Sequence, residues 1–431
     1  MASGTPLTKA VEKSPEQILA ELPPPTTNSL TDQAITAVIK KVRSKPTEAT
    51  LWVNLGDALA QKLRDTANQN YYLHAEAAYR QALKLDSMNV DALTGMAWVT
   101  GGRHVFDQSI EWANKAIAIE PGAVAAHGII GDAALELGDY DQAYDQYQVM
   151  MDLRPDLSSW SRGSYLLWLT GDKTKAVWLM DKAIKSGAPF AENSAWCRAK
   201  LAMMYFNDGA LVPADQVLAP ALKASSHNTH VLLAAGRIAA ARQDIPASIK
   251  FYEAVLEGGP NHEALVALGD LHAVKGEAEL AEDFYAKVEA LHVAHLSGGA
   301  HDHMQMARFY ADHDRNLVEA LRLAEQHKLT KNVIEADSLA WVYFKNGDQV
   351  HAIEAIKLAL SRDTPDPEIH YHAGMIAEAA GDHLSARKHL IQAMGMNPRF
   401  NPIQAPIAAR TLEGITASNS TATAEPTTSK P

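Results

Sequence analysis

Histidine is the residue type with the most chemistry in reserve here. Of 18 in the chain, His292, His295, His301, His303 and His313 crowd one stretch, with His327 following. His292 and His295 stand i and i+3 on one helical face, and the run AHDH sets His301 and His303 beside Asp302. Neutral imidazoles with a carboxylate can ligate zinc, copper or nickel, and imidazoles at a junction can make it pH-sensitive. The spacing matches no strong metal motif, and histidine is a common solvated loop residue, so no metal is assigned. His370 and His372, flanking Tyr371, read as packing residues. Cys197 is the single cysteine. It follows Trp196 within a helical run and reads as a small buried hydrophobe; an intrachain disulfide is excluded. Glycine-rich phosphate loops, zinc-protease helices, nucleophile elbows, paired-cysteine sites and calcium loops are all missing. The sequence therefore assigns no catalytic residue and no cofactor, and the chain reads as a non-enzyme.

What must position any such groups is a repeated helical hairpin. Ten times between about Ala49 and Arg399 a small residue stands about eight into the repeat, often with an apolar or aromatic residue three later. Ala usually follows twelve on, and then often Pro. The clearest copy runs from Val124 to Leu157, VAAHGIIGDAALELGDYDQAYDQYQVMMDLRPDL. Gly131 sits where two helices approach, and Gly138, Asp139 and Tyr140 make the turn. Ala143 is the small residue opposite, Tyr147 the wedge, and Pro155 ends the second helix. Repeats begin near Ala49, Val90, Val124, Leu157, Ala195, Thr229, His262, Ala300, Val333 and Pro367. Such a period specifies a solenoid, in which each unit buries its apolar face against its neighbours.

Trp52, Leu55, Gly56 and Leu59, then Ala75, Tyr79 and Ala82, resemble the two helices of the tetratricopeptide repeat family, as do Gly269, Gly276, Ala281 and Tyr285 and the later copies. The resemblance implies an all-α, right-handed α–α superhelical solenoid of about ten tetratricopeptide-like hairpins. The copies around Trp168 to Ala183 and His303 to His327 match least well, and irregular joints are expected there. In this family the first helices line a concave groove. Carried over by repeat position, the resemblance implies a partner-binding groove formed by Trp98, Asp132, Tyr165, Trp168, Trp196, Met203, Phe206, Arg237, Asp270, Arg308, Trp341, Phe344, Lys345 and Tyr371. Arg237 and Arg308 suit a carboxylate clamp by position. The asparagines such a clamp needs are missing, however, and Asp57, Asp132 and Asp270 stand at equivalent places, which favours a ligand with basic or amide groups. The implied function is a non-enzymatic scaffold or adaptor that holds a partner's peptide or helix in the groove. Two alternatives are a metal-handling protein using the His292 to His303 cluster and a self-associating structural scaffold. The style of the repeats suggests a bacterial setting.

The net charge of −12 gives no global attraction to nucleic acid. The basic run Lys40, Lys41, Arg43 and Lys45 lacks interleaved aromatics and reads as a wet helix face. No apolar run is long enough to span a membrane, and MASGTPLTKAVEKSPEQ lacks the apolar core of a signal peptide. A cytoplasmic location is expected, or a periplasmic or secreted one if a leader has been removed. Residues 1–28 read as disordered, with a short helix at Pro15 to Leu22. Residues 29–46 read as a capping half-repeat helix, with Thr31 as N-cap and an apolar stripe of Leu30, Ala34, Val38 and Ile39. The solenoid spans 47–400, a capping helix covering Leu390 and Ile391 spans 401–413, and a Thr, Ser, Ala and Pro-rich tail spans 414–431. The insertion LRDTANQNYY at 63–72 is expected to project as a polar loop.

Overall fold

The computed structural model describes residues 13–24, 29–66, 68–187, 194–297 and 303–422, which fall into two compact units, one up to Ala133 and one from Ala134. Among the described residues there are 23 α-helices and no strand, and no helix is long and apolar enough to cross a membrane. The chain is an all-α solenoid of helical hairpins. Nine of the ten expected repeat starts coincide with helix starts, and the tenth lies three residues on, at His303.

The first unit holds α1 (Pro15–Ala20), α2 (Leu30–Ser44), α3 (Ala49–Thr66), α4 (Asn70–Leu85), α5 (Val90–Gly102) and α6 (Phe106–Ile119), and runs into α7 (Val124–Glu136). Ser29, not Thr31, caps α2 by accepting the Asp32 N–H. The buried face of α2 is also rotated from the expected one. Leu30 is 84% exposed, whereas Asp32, Ile35 and Val42 are buried. The reason is an ion pair inside the unit: Lys62 Nζ lies 2.8 Å from Asp32 Oδ1, with both side chains about 5% exposed or less. The insertion at 63–72 is not a projecting loop. It lengthens α3 and α4, and Leu63 and Tyr71 pack with Ile18 of α1 in the unit's core.

The second unit continues with α8 (Tyr140–Leu153), α9 (Leu157–Leu169), α10 (Lys173–Ser186), α11 (Ala195–Asn207), α12 (Leu211–Ala224), α13 (Thr229–Ala241), α14 (Ile245–Glu257), α15 (His262–Val274) and α16 (Ala278–Ser297). Then come α17 (His303–Asp312), α18 (Leu317–Ala324), α19 (Val333–Lys345), α20 (Gln349–Ala359), α21 (Pro367–Ala379), α22 (His383–Met396) and α23 (Gln404–Ala422). The fourth repeat, α9 and α10, is regular. The eighth is not: α17 and α18 have only 10 and 8 residues, and a 3-10 turn follows. Helix α23 runs past the expected end at 413, and Ile391, expected beneath it, stays 44% exposed.

Each hairpin closes through the small residue. A Cβ on Gly56 would lie 2.5 Å from the Tyr79 ring, and one on Gly236 2.7 Å from the Tyr252 ring, so the wedge aromatic fills the space a methyl would need. The second helices start on a shared device. Asp139, Asp172, Asp244, Asp348 and Asp382 each accept the N–H three residues on.

The second unit winds far enough to touch itself. Asn332 Nδ2 donates to the carbonyls of Leu135 and Glu136 at 3.2 and 3.3 Å. The Thr364 hydroxyl donates to Leu169 O at 2.6 Å, and Asn397 Nδ2 to Phe206 O at 2.7 Å. These partners are 191 to 197 residues apart. The connectors before α19, α21 and α23 thus cap the last carbonyls of α7, α9 and α11, groups that a helix cannot satisfy itself. At the same seam a Cβ on Gly138 would overlap the Lys331–Asn332 peptide group, and one on Gly171 would lie 2.8 Å from Arg362 O.

Two outcomes test this account. Gly138→Ala combines a left-handed φ of 76° with that overlap, whereas Gly276, at 79°, has open space around it. In urea melts Gly276→Ala is expected to lose about 1 kcal/mol and Gly138→Ala about 3 or more. Equal losses would mean the seam does not form. In the first unit, Lys62→Met is expected to lose about 3 kcal/mol, with most of it recovered when Asp32→Leu is added.

Candidate interaction lumen

Closure of the seam turns the inner faces of the first helices toward a half-open space. Two cavities of about 290 and 800 Å³ share Arg237, Glu263 and Ile334 in their walls. The smaller is lined by Tyr165, Lys200, Met203 and His230, the larger by Val266, Asp270, Met304, Arg308 and Phe400.

Most carboxylates at this lumen are already engaged. Arg308 on α17 reaches Asp312 at 2.9 Å, Asp337 of α19 at 3.0 Å and Glu368 of α21 at 3.1 Å, tying three successive first helices together. Asp337 also meets His372 Nδ1 at 2.8 Å. Burial pushes the Asp337 carboxyl up, but His372 and Arg308 outweigh it and hold it below the usual carboxylate range. Asp270 accepts the Tyr285 hydroxyl at 2.9 Å and lies 2.7 Å from His313 Nε2. Burial alone would lower the His313 pKa; the Asp270 hydrogen bond raises it. Asp57 in the first unit likewise accepts the Tyr79 hydroxyl at 2.7 Å. Two of the three carboxylates expected to receive a basic ligand, Asp57 and Asp270, instead orient wedge tyrosines.

Two cations make fewer close ion pairs, although, against desolvation, Glu368, Glu263 and Asp366 raise the Arg237 pKa and Glu263 and Glu136 act on Lys200. Arg237 is 42% exposed and its nearest carboxylate, Glu368, is 3.6 Å away and shared with Arg308. Lys200 Nζ lies 5.1 Å over the Tyr165 ring and 5.5 Å from the Trp196 ring, the geometry of a cation held by aromatic faces. Burial lowers its pKa. Beside it His230 is lowered too, by burial and then by Lys200. Asp366, the N-cap of α21, is pushed up to about 6 by burial and by Glu368.

The residues expected in the groove divide. Tyr165, Trp168, Met203, Phe206, Arg237, Asp270 and Arg308 line the two cavities. Trp168 and Phe206, however, contribute little open surface, at 6% and 2% exposure, and Trp341 and Tyr371, at 3% and 2%, are core. A large aromatic at these positions fills the wedge between neighbouring helices, so these four are packing residues. Trp196 is half-buried behind Lys200, and Phe344 packs 5.1 Å from Trp341. Lys345 pairs with Asp314 at 2.6 Å. Trp98, in the first unit, packs against Tyr72, ring centroids 5.6 Å apart and tilted by 41°, with Arg64 over its face. Asp132, at the end of that unit, is half-buried and lines neither cavity. Sequence reasoning missed Lys200, His230, Glu263 and Asp366. His230 and Glu263 each stand second in their repeat, a signal that was available; Lys200 stands sixth and gave none.

Of the histidine cluster, His292 and His303 have ring centroids 6.4 Å apart, and His301 lies outside the described residues. Among the described residues no group of three or more His, Cys, Asp or Glu is placed to hold a metal ion. Cys197 is buried, and burial pushes its thiol up to about 11, the opposite of a reactive thiolate.

The family model described as tetratricopeptide repeat matches residues 218–292, the stretch that carries α13 to α15 and most of α16, with the wedge tyrosines Tyr252 and Tyr285. Those residues carry the tetratricopeptide repeat. A curated relative, the formate-dependent nitrite reductase complex subunit NrfG of Escherichia coli O157:H7, is 28% identical over 120 residues, covering 27% of this chain and 57% of its own length. The chain therefore spans little more than half of that relative. Among solved structures, pilF of Pseudomonas aeruginosa is 15% identical with a TM-score of 0.39, over 48% of this chain and 92% of that one. A thermophilic TPR protein of Thermus thermophilus is 17% identical with a TM-score of 0.37, over 48% and 99%.

The raised pKa of Asp366 predicts a pH effect of known sign. With a folded pKa near 6 and an ordinary value of 3.8, the folded chain binds this proton more tightly than the unfolded one, so Asp366 destabilises the fold progressively as pH rises from about 4 to 7. Asp366→Asn keeps an acceptor for the α21 N-cap. The variant should match the wild type near pH 4 and exceed it by about 1–2 kcal/mol at pH 7, read from urea melts across that range. A difference that does not change with pH would contradict the assignment.

Proposed function

We propose that this chain is a non-enzymatic interaction scaffold whose second unit holds a short extended segment of a partner protein in the lumen. The observation that carries this reading is the pair of cavities joined at Arg237 and Glu263, walled by Tyr165, Met203 and Met304 together with Lys200. Their volumes are in the range of binding pockets, and apolar walls with a few polar groups give both contact area and orientation. The first helices are fixed by the seam and by Arg308, so little of the binding free energy is lost to ordering the receptor. NrfG is by name a subunit of a complex, which accords with an assembly role.

The test uses groups that face the lumen, leaving the core aromatics intact. A displayed library of random decapeptides is expected to yield binders, and Tyr165→Ala with Met203→Ala should weaken the best of them about tenfold or more, while far-ultraviolet circular dichroism is unchanged. Binders indifferent to that pair, or none at all, would count against the lumen.

A further inference from the structure

We infer that the lengthened first hairpin is a docking site for a short helix of a partner protein, a site held in cis by α1. The partner helix repeats the apolar face of α1, with Ile, Leu and Leu at i, i+1 and i+4 behind a Ser-Pro start. The site lies in the first unit and does not depend on the lumen.

The first hairpin departs from the repeat where α1 sits on it. Helix α3 has 18 residues, whereas the first helices of the nine later hairpins have 13 or fewer. The extra turn brings in Leu63, and the start of α4 brings in Tyr71; both are buried in one cluster with Ile18. The principal neighbour of α1 is α4. There burial lowers the pKa of His74, on which Glu21 and Lys13, flanking α1, also act. The extension thus makes an apolar surface that the other first helices lack, and a separate segment covers it.

Helix α1 is built to start by itself yet is too short to stand alone. Ser14 accepts the Gln17 N–H at 3.3 Å, Gln17 Oε1 accepts the Ser14 N–H at 2.8 Å, and Pro15 opens the helix. Its 6 residues fall well short of the roughly 12–15 at which an isolated helix is marginal in water. Docking therefore orders the segment, and the apolar hold is small: Ile18 is buried, Leu19 and Leu22 only half-buried. The ion pair of Lys13 with Glu21 is nearly half exposed and adds little. Set against the entropy of ordering residues 13–24, these contacts make a joint that opens locally while α3 and α4 keep their own packing. The tether to α2 keeps α1 at a high effective concentration, so a weak contact is still mostly filled. A partner's helix with the same face and further contacts of its own displaces it.

A labelled peptide of residues 13–24, acetylated and amidated, is titrated into the full chain and into a full-length Ile18→Ser, Leu19→Ser variant in which α1 is released. Binding is read by fluorescence anisotropy. With an effective concentration of about 1 mM and a site open about a tenth of the time, the variant should bind with a Kd of about 100 µM. The wild type should bind about tenfold more weakly. The peptide carrying Ile18→Ser should bind neither, and Leu63→Ala in the released variant should weaken binding about fivefold, with circular dichroism checking the fold. In wild-type hydrogen exchange, the amides of α1 should exchange at least about a hundredfold faster than those of α4. No binding to the released variant, or α1 and α4 exchanging alike, would make α1 a fixed part of the unit and overturn the docking site. A wild-type dimer in light scattering that the released variant lacks would make the occupant α1 of a second copy, overturning the partner assignment.

Discussion

The contact on which the second unit depends is the one between the hairpin turns of α7 to α12 and the connectors before α19, α21 and α23. It has a steric half and a polar half. Gly138, Gly171 and Gly209 leave no room for a Cβ against the backbone across the seam, so the approach distance is set by main chain on main chain. Asn332, Thr364 and Asn397 then supply donors to carbonyls that end α7, α9 and α11. Asn332 and Asn397 are doubly used, because each Oδ1 also accepts an N–H of its own connector or helix. The single amide of Asn332 thus starts α19 and ends α7, nearly two hundred residues away.

Once the seam is closed, the inner faces of the first helices confront each other, and their charges must be neutralised locally. Arg308 binds three carboxylates on three helices, with His372 also at Asp337 and Arg237 near Glu368. Such a buried network adds little net stability, because desolvation offsets most of the Coulombic attraction. It does restrict geometry: moving α17, α19 or α21 separately would strip a partner from a buried charge. Arg237 joins this network through Glu368, at 3.6 Å, whereas Lys200 stands against the Tyr165 and Trp196 rings.

The hairpins were legible in the sequence because their determinants are local. A small residue at the close approach, a glycine-aspartate turn and a wedge aromatic recur within each unit, and helix starts from Ala49 to Pro367 followed from them. The irregular eighth hairpin was also foreshadowed by its slipped small positions, whereas the fourth, equally poor in pattern, is regular because Ser164 serves as the small residue and donates to Ala176 O. Side-chain direction was less legible. Whether Trp341 faces a groove or a neighbour depends on the angle between successive hairpins, which no single repeat encodes. The seam was invisible because its donors look like ordinary helix caps. The Asp32–Lys62 pair was hidden for a similar reason, since a charged residue on an amphipathic helix is by default assigned to water.

A solenoid is usually treated as a line of units in which each repeat feels only its neighbours. The seam makes the second unit something else. Six inter-hairpin rotations lie between Gly138 and Lys331, and the turn at Gly138 accepts only one value of their sum, because main chain meets main chain there. A change in packing angle at any intervening hairpin is therefore felt at the seam as well as at its own interface. The shortened eighth hairpin lies inside this loop, so its departure from the repeat belongs to the closure geometry and is more than a loss of pattern. By the same reasoning the positions of Lys200 and Arg237 relative to each other are set by the whole ring as well as by the hairpins that carry them.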